Sequence, residues 1–178
     1  MKKFELTAEF VTNVFGKKLF RIKALVAFGD VEKGELGGFI EKEDNLSHSG
    51  NAWVYGNARV YGNAQVYGNA QVTGNAQVYG NAWVSGNAWV SGNAQVYDDA
   101  DYAVVEGFGR YFRATTFFRC KDKILRVQCG CFYGDLAEFR EVVKKTHGDS
   151  KYAKEYLAIA DLMELHFSDE EGRQEATE

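Results

Sequence analysis

From Asn51 the chain reads Asn51-Ala52-Trp53-Val54-Tyr55-Gly56, then Asn57-Ala58-Arg59-Val60-Tyr61-Gly62, and it holds this six-residue period unbroken to Gln95-Val96-Tyr97. Valine recurs at Val54, Val60, Val66, Val72, Val78, Val84, Val90 and Val96. Alanine stands two places before each valine, from Ala52 to Ala94. Gly-Asn closes each of the first seven units, from Gly56-Asn57 to Gly92-Asn93. In an extended segment residues i and i+2 face the same way. Alanine and valine therefore point inward, and the residues at the Trp53 and Tyr55 positions point outward. Gly-Asn supplies a corner, because both residues accept positive φ at low cost. A short strand and a corner make one side of a prism, and three sides close a coil of about 18 residues. Stacked coils place like residues in register, so each backbone edge pairs with the next coil.

Sorting the units by coil gives three outward faces. The first carries Trp53, Gln71 and Trp89, with Tyr55, Thr73 and Ser91. The second carries Arg59, Gln77 and Gln95, with Tyr61, Tyr79 and Tyr97 in a column. The third carries Gln65 and Trp83, with Tyr67 and Ser85. All three are polar-aromatic and nearly uncharged. The aromatics can stack within the sheet, touch another copy, or touch a ligand. At the ends of the stack, Asp44-Asn45 and Asp98-Asp99 stand where Gly-Asn is expected. A solenoid needs such polar ends to stop growing. Leu36, Ile40 and Leu46 fall in inward positions, which extends the fold back to an irregular first coil.

On either side the pattern changes. Residues 4–15 and 19–28 read as two strands joined at Gly16-Lys17-Lys18. The glycine-rich stretch Phe28 to Ile40 lacks the Gly-Lys-Ser/Thr ending of a phosphate loop. Residues 102–132 alternate with Phe112, Phe117, Phe118, Ile124 and Val127, and turn at Lys121-Asp122-Lys123. A helix is expected over 135–147. Asp135 caps it with Glu138, Leu136, Phe139, Val142 and Val143 form its apolar stripe, and Gly148 stops it. A second helix runs from about Ser150 to Phe167, with Tyr152, Tyr156, Leu157, Ile159, Ala160 and Met163 inward. The acidic end from Ser168 is expected to be disordered. The expected divisions are an N-terminal β-hairpin cap (1–35), the repeat (36–101), an α+β module (102–167) and the tail (168–178).

The 21 basic and 25 acidic side chains leave a net charge of −4, too mild to hold nucleic acid over the whole surface. No apolar run approaches a membrane span, and the N-terminus lacks a signal-peptide core, so a cytoplasmic protein with no membrane partner is expected. Cys120, Cys129 and Cys131 make a poor disulfide framework.

Two stretches carry a family likeness. Arg21-Ile22-Lys23-Ala24-Leu25 through Phe28-Gly29-Asp30-Val31, then Gly37-Gly38-Phe39-Ile40, Asn45-Leu46-Ser47 and Gly50-Asn51-Ala52-Trp53-Val54-Tyr55, resemble the start of the YdcK-like hexapeptide proteins of bacteria and phages. The repeat itself resembles the bacterial transferase hexapeptide type. That resemblance implies a left-handed parallel β-helix of about four coils. Phe117 to Phe167, with Cys129-Gly130-Cys131-Phe132 and Thr146-His147-Gly148, resembles a C-terminal module of phage-encoded proteins. This implies a viral or prophage origin, and with it an inhibitor of a host antiviral system such as an anti-CRISPR or sequestering protein. Such a protein works in the host cytoplasm.

No catalytic constellation stands out. Acyltransferases of the hexapeptide type use a histidine base beside a protruding loop, and the unbroken period leaves no room for that loop. Of the histidines, His48 occupies an inward position, and His147 and His166 close helices. Cys120, Cys129, Cys131 and His147 could be written as a zinc set, but Cys-x-Cys is not its usual spacing. No metal, cofactor or enzymatic activity is expected. A flat ice-binding face would show a threonine array, and Thr73 stands alone in the outward columns. The candidate contact residues are Trp53, Arg59, Tyr61, Tyr79, Trp89 and Tyr97 on the prism, and Arg110, Arg113, Arg119, Lys121 and Arg126 in the basic-aromatic module. They point to a homo-oligomer (dimer or trimer) that binds a host protein, a nucleotide or nucleic acid.

Overall fold

The computed structural model describes residues 1–168; the expected disorder of the acidic tail falls almost wholly outside them. The chain opens with β1 (Phe4–Thr12) and β2 (Lys18–Ala24), paired antiparallel about a turn at 13–17. β3 (Leu36–Ile40) continues that sheet on the other side of β2. Eight two-residue strands follow: β4 (Trp53–Val54), β5 (Arg59–Val60), β6 (Gln65–Val66), β7 (Gln71–Val72), β8 (Gln77–Val78), β9 (Trp83–Val84), β10 (Trp89–Val90) and β11 (Gln95–Val96). They fall on three faces and pair in parallel as β4-β7-β10, β5-β8-β11 and β6-β9, in about three turns. Trp53 pairs with Gln71 and Arg59 with Gln77, which is the coil length read from the repeat.

The first coil departs from that length. Phe39 pairs with Arg59 and Leu46 with Val66, so it is two residues longer than the others. An even insertion preserves facing, and Ile40 and Leu46 stay fully buried. It also moves the ladder past Leu36, which is exposed at the start of β3 rather than inward.

Flanking the strand pairs, N–H groups of one coil donate to carbonyls of the next: Trp53 to Ala70, Arg59 to Ala76, Gln71 to Ala88. At either end of the stack the outermost coil has no neighbouring coil to pair with. Buried backbone groups need partners. At the N-terminal end, carbonyls receive side-chain donors. Lys3 Nζ donates to Ala52 O at 2.8 Å, and Asn45 Nδ2 donates to Gly62 O at 3.2 Å and Ala64 O at 2.8 Å. At the C-terminal end, N–H groups receive side-chain acceptors, while the carbonyls of Trp83 and Asn93 receive donors from Tyr102 and Lys121. Asp99 Oδ1 accepts from Trp83 N at 2.7 Å, Thr116 Oγ1 from Trp89 N at 2.9 Å, and Asp101 Oδ2 from Tyr97 N at 2.9 Å.

Lys3 gives this arrangement a pH signature. Burial of its ammonium lowers the pKa to about 8. Between that value and the unfolded one of 10.5, the unfolded chain holds a proton that the folded chain has released. The group's contribution to stability therefore rises with pH across that window. Melting temperatures near pH 7.5 and pH 9.5 (about two units apart) check it: the natural protein is expected to gain relative to Lys3→Met between the two.

The C-terminal part covers the C-terminal end of the stack. β12 (Tyr102–Val105), β13 (Thr115–Arg119), β14 (Leu125–Cys129) and β15 (Phe132–Asp135) form an antiparallel sheet in that order. β13 lies against β10 and β11. Strand alternation on β13 splits two cores. Phe118 enters the alanine–valine core of the prism, and Phe117 turns to the helices α1 (Leu136–His147) and α2 (Lys151–His166). Asp135 and Glu138 form the expected capping box on α1, Gly148 ends it at φ +54°, and Ser150 caps α2. Phe139, Val143, Tyr156, Ile159, Ala160 and Met163 are buried as read from the sequence. Val142 and Tyr152, read as inward from the sequence, are exposed.

Candidate functional site

The outward faces are not equivalent. On the first face Trp53 is an inversion of the sequence reading: it is 0% exposed. Phe4 and Phe28 from the N-terminal segment close over it, with ring centroids at 6.2 and 5.3 Å. It is a core residue and no contact surface. Trp89, two coils on, is exposed, and its Nε1 donates to Thr73 Oγ1 at 3.2 Å.

The tyrosine column of the second face stacks within the chain. Tyr61 and Tyr79 lie 5.1 Å apart at 13°, and Tyr79 and Tyr97 meet at 5.4 Å and 65°. Tyr61 is buried with Leu19 and Phe39 under the N-terminal sheet, and its hydroxyl donates to Gln77 Oε1 at 3.1 Å. Burial raises the Tyr61 and Tyr79 phenols above their ordinary range. Tyr97 is 53% exposed, so the column opens to solvent only at its C-terminal end. Arg59 is half-buried in a cleft with Glu9, Arg21, Asn57, Asn75 and Gln77, where Arg21 Nε already pairs with Glu9 at 2.8 Å.

The basic residues of the C-terminal part separate into two groups. Arg126 forms an ion pair with Asp122 at 2.8 Å, and that carboxylate holds the guanidinium above its ordinary pKa. Arg119 donates to Phe167 O at 2.9 Å and lies 3.7 Å from Asp101. Both brace the cap. Lys121 sits in the turn after β13, where its N–H donates to Asn93 O at 3.1 Å. The second group is on the loop 106–114 between β12 and β13. Arg110 and Arg113 both lie over the ring of Tyr111, at 5.6 and 5.0 Å. Tyr111 is 62% exposed and Phe112 71% exposed, and Phe108 is exposed beside them. The strand reading of Phe112 is therefore corrected: it stands in this loop at φ +53°. A bulky residue in the left-handed region is an outlier that its surroundings must impose. Here Gly109 N donates to Glu155 Oε2 at 2.8 Å, which ties the loop to α2. Gly107 and Gly109, both at positive φ, were the sequence signal that a loop interrupts the alternation.

The histidines lie in different parts of the protein. His48 Nδ1 accepts from Lys3 N at 3.1 Å and its ring stacks on Phe4 at 4.2 Å, which makes it part of the N-terminal closure. His147 packs beside Tyr156, and His166 beside Phe167. Cys120 is buried, which raises its thiol pKa, while Cys131 is exposed in the turn before β15. Among the described residues no group of three or more His, Cys, Asp and Glu side chains is placed to hold a metal ion. Among the same residues no helix is long and apolar enough to cross a membrane.

A further cleft, of about 530 Å³, was not legible in the sequence. It lies on the third face where the prism meets the cap, and Tyr67, Trp83, Asp99, Tyr102 and Glu106 line it. These residues come from three separate segments, so no spacing announces them.

Three faces of parallel two-residue strands over an alanine–valine core define a β-solenoid repeat protein. The repeat is similar to the YdcK β-solenoid repeat, whose family model matches residues 52–66, 64–77 and 76–92. A comparison with curated proteins returns no match.

Proposed function

We propose that this is a non-enzymatic binding protein in which the solenoid is a rigid support and the loop 106–114 is the principal contact element. The carrying observation is Phe112, held at φ +53° and 71% exposed beside Tyr111 and its two arginines. Exposed aromatics flanked by arginine are what interfaces and nucleotide-binding surfaces enrich. Anchorage of the loop on α2 through Glu155 reduces the ordering cost of capture. The partner in this reading is a host protein, or a nucleotide or nucleic acid. The likeness of the cap to phage-type modules makes an antiviral system the proposed target and the host cytoplasm the proposed location. The finer fold reading belongs with it: a left-handed coil, four turns when Leu36–Ser47 counts as the first, and assembly as a dimer or trimer with Tyr97 and Trp89 as the exposed prism aromatics.

The test is a triple variant, Arg110→Ala with Tyr111→Ala and Arg113→Ala. It is expected to keep the melting temperature and to weaken partner capture by tenfold or more, roughly the loss of one interface hot spot. Unchanged capture by a folded triple variant contradicts the reading.

A further inference from the structure

We propose that the cleft between the third face and the cap is a second binding site, which takes the ammonium or guanidinium side chains of an extended basic protein segment. Two aromatic walls stand nearly at right angles: Tyr67 and Trp83 have ring centroids 6.3 Å apart and an interplanar angle of 86°. Tyr102 enters from β12, fixed by its hydroxyl donating to Trp83 O at 2.6 Å. Two carboxylates complete the lining. Asp99 accepts from the Trp83 backbone N–H at 2.7 Å, and Glu106 accepts from Asn87 Nδ2 at 3.1 and 3.2 Å.

Both carboxylates are uncompensated. Neither has an ion pair among the described residues, and no lysine, arginine or histidine lines the cleft. Asp101 and Asp122, in the same part of the chain, each meet an arginine instead. Aromatic faces attract cations through the ring quadrupole, most strongly where carboxylates add their field. Burial raises the Tyr102 phenol, hydrogen bonding at Ser85 opposes the rise, and the nearby Asp99 carboxylate adds to it.

The chemistry selects an organic cation over a metal ion. Asp99 binds at Trp83 and Glu106 at Asn87, at the two ends of one prism side, and no cluster here has metal geometry. The shape selects a chain segment over a free small cation. Trp83 is 51% exposed, so the walls cannot enclose a lone ligand. Tyr67 is shared with a second depression of about 330 Å³ on the same face, where Asp44 stands beside His48 and a Glu43 already paired with Lys2. The track therefore continues past the aromatic box to a further carboxylate, as charge complementarity to a basic segment requires.

Isothermal titration with tri-lysine amide and tri-arginine amide tests this. Binding is expected with the natural protein and should weaken as salt rises. Asp99→Asn with Glu106→Gln keeps both acceptor oxygens and removes both charges, and should weaken binding about tenfold. Trp83→Gln installs the residue that Gln65, Gln71, Gln77 and Gln95 already carry at this position, so the fold is kept. It should weaken binding about threefold to fivefold. Trp89→Gln, on another face, should bind as the natural protein does. Equal binding by the natural protein and the charge-neutral double variant overturns the proposal. So does tetramethylammonium binding as tightly as tri-lysine, or no binding of either basic peptide. Apart from Glu106 at its first position, these variants leave the loop 106–114 unchanged, and its Arg110, Tyr111 and Arg113 are tested separately.

Discussion

Asn45→Asp is expected to cost about 3–5 kcal/mol of stability, one of the largest losses available to a change of so few atoms. Asn45 is 0% exposed, and its amide donates to two carbonyls at the open N-terminal end of the stack. Aspartate keeps the shape and turns the donor into an acceptor. Its charge would face Gly62 O and Ala64 O with nothing between them. The new carboxyl must have a folded pKa above its unfolded value, so the penalty is absent below about pH 4 and grows as pH rises. The opposite end predicts the opposite tolerance. Asp99→Asn keeps an oxygen for the Trp83 N–H and is expected to cost about 1 kcal/mol or less. Urea unfolding of the two variants at neutral pH checks the pair. Equal losses would contradict a donor requirement at Asn45 and an acceptor requirement at Asp99.

The second large effect separates two glycines that the repeat treats as the same. Gly50 and Gly86 both sit at corners, at φ +70° and +66°. A Cβ on Gly50 would drive into the backbone oxygen of Gly68 in the next coil, whereas one on Gly86 meets nothing within 4 Å. Gly86→Ala therefore carries only the left-handed backbone cost of about 1–2 kcal/mol. Gly50→Ala adds about 1–3 kcal/mol for displacing backbone. Chemical denaturation should show that difference. Equal costs would mean that the coils can slide apart at this corner.

Sequence periodicity made the prism legible because every unit obeys one rule. Alanine and valine alternate inward, and each valine of the repeat is fully buried. The capping box at Asp135 and the stop at Gly148 were equally local, and both stand where the sequence placed them. What stayed hidden depends on chain segments far apart. Trp53 looks like any outward residue of the repeat, and only Phe4 and Phe28 arriving from the N-terminal segment bury it. Tyr61 is covered in the same way by the sheet of β1 to β3. Phe117 and Phe118 read as one apolar pair, yet alternation sends them into two different cores. Asp44-Asn45 and Asp98-Asp99 read alike as worn ends of the stack. Their difference, an amide donor at one end and a carboxylate acceptor at the other, follows from which backbone groups each corner leaves open, which the repeat does not encode. The candidate contacts divide on the same principle: Arg119 and Arg126 found partners within the cap, and Arg110 and Arg113 remained on an exposed loop.

Native mass spectrometry of the purified protein, mixed with bacterial lysate or with acetyl-coenzyme A, tests the central claim most directly. The account predicts a discrete partner mass retained from lysate by the natural protein, lost from the loop triple variant, and no adduct with acetyl-coenzyme A. An adduct with acetyl-coenzyme A alone, or a lysate partner retained equally by the loop variant, would contradict it.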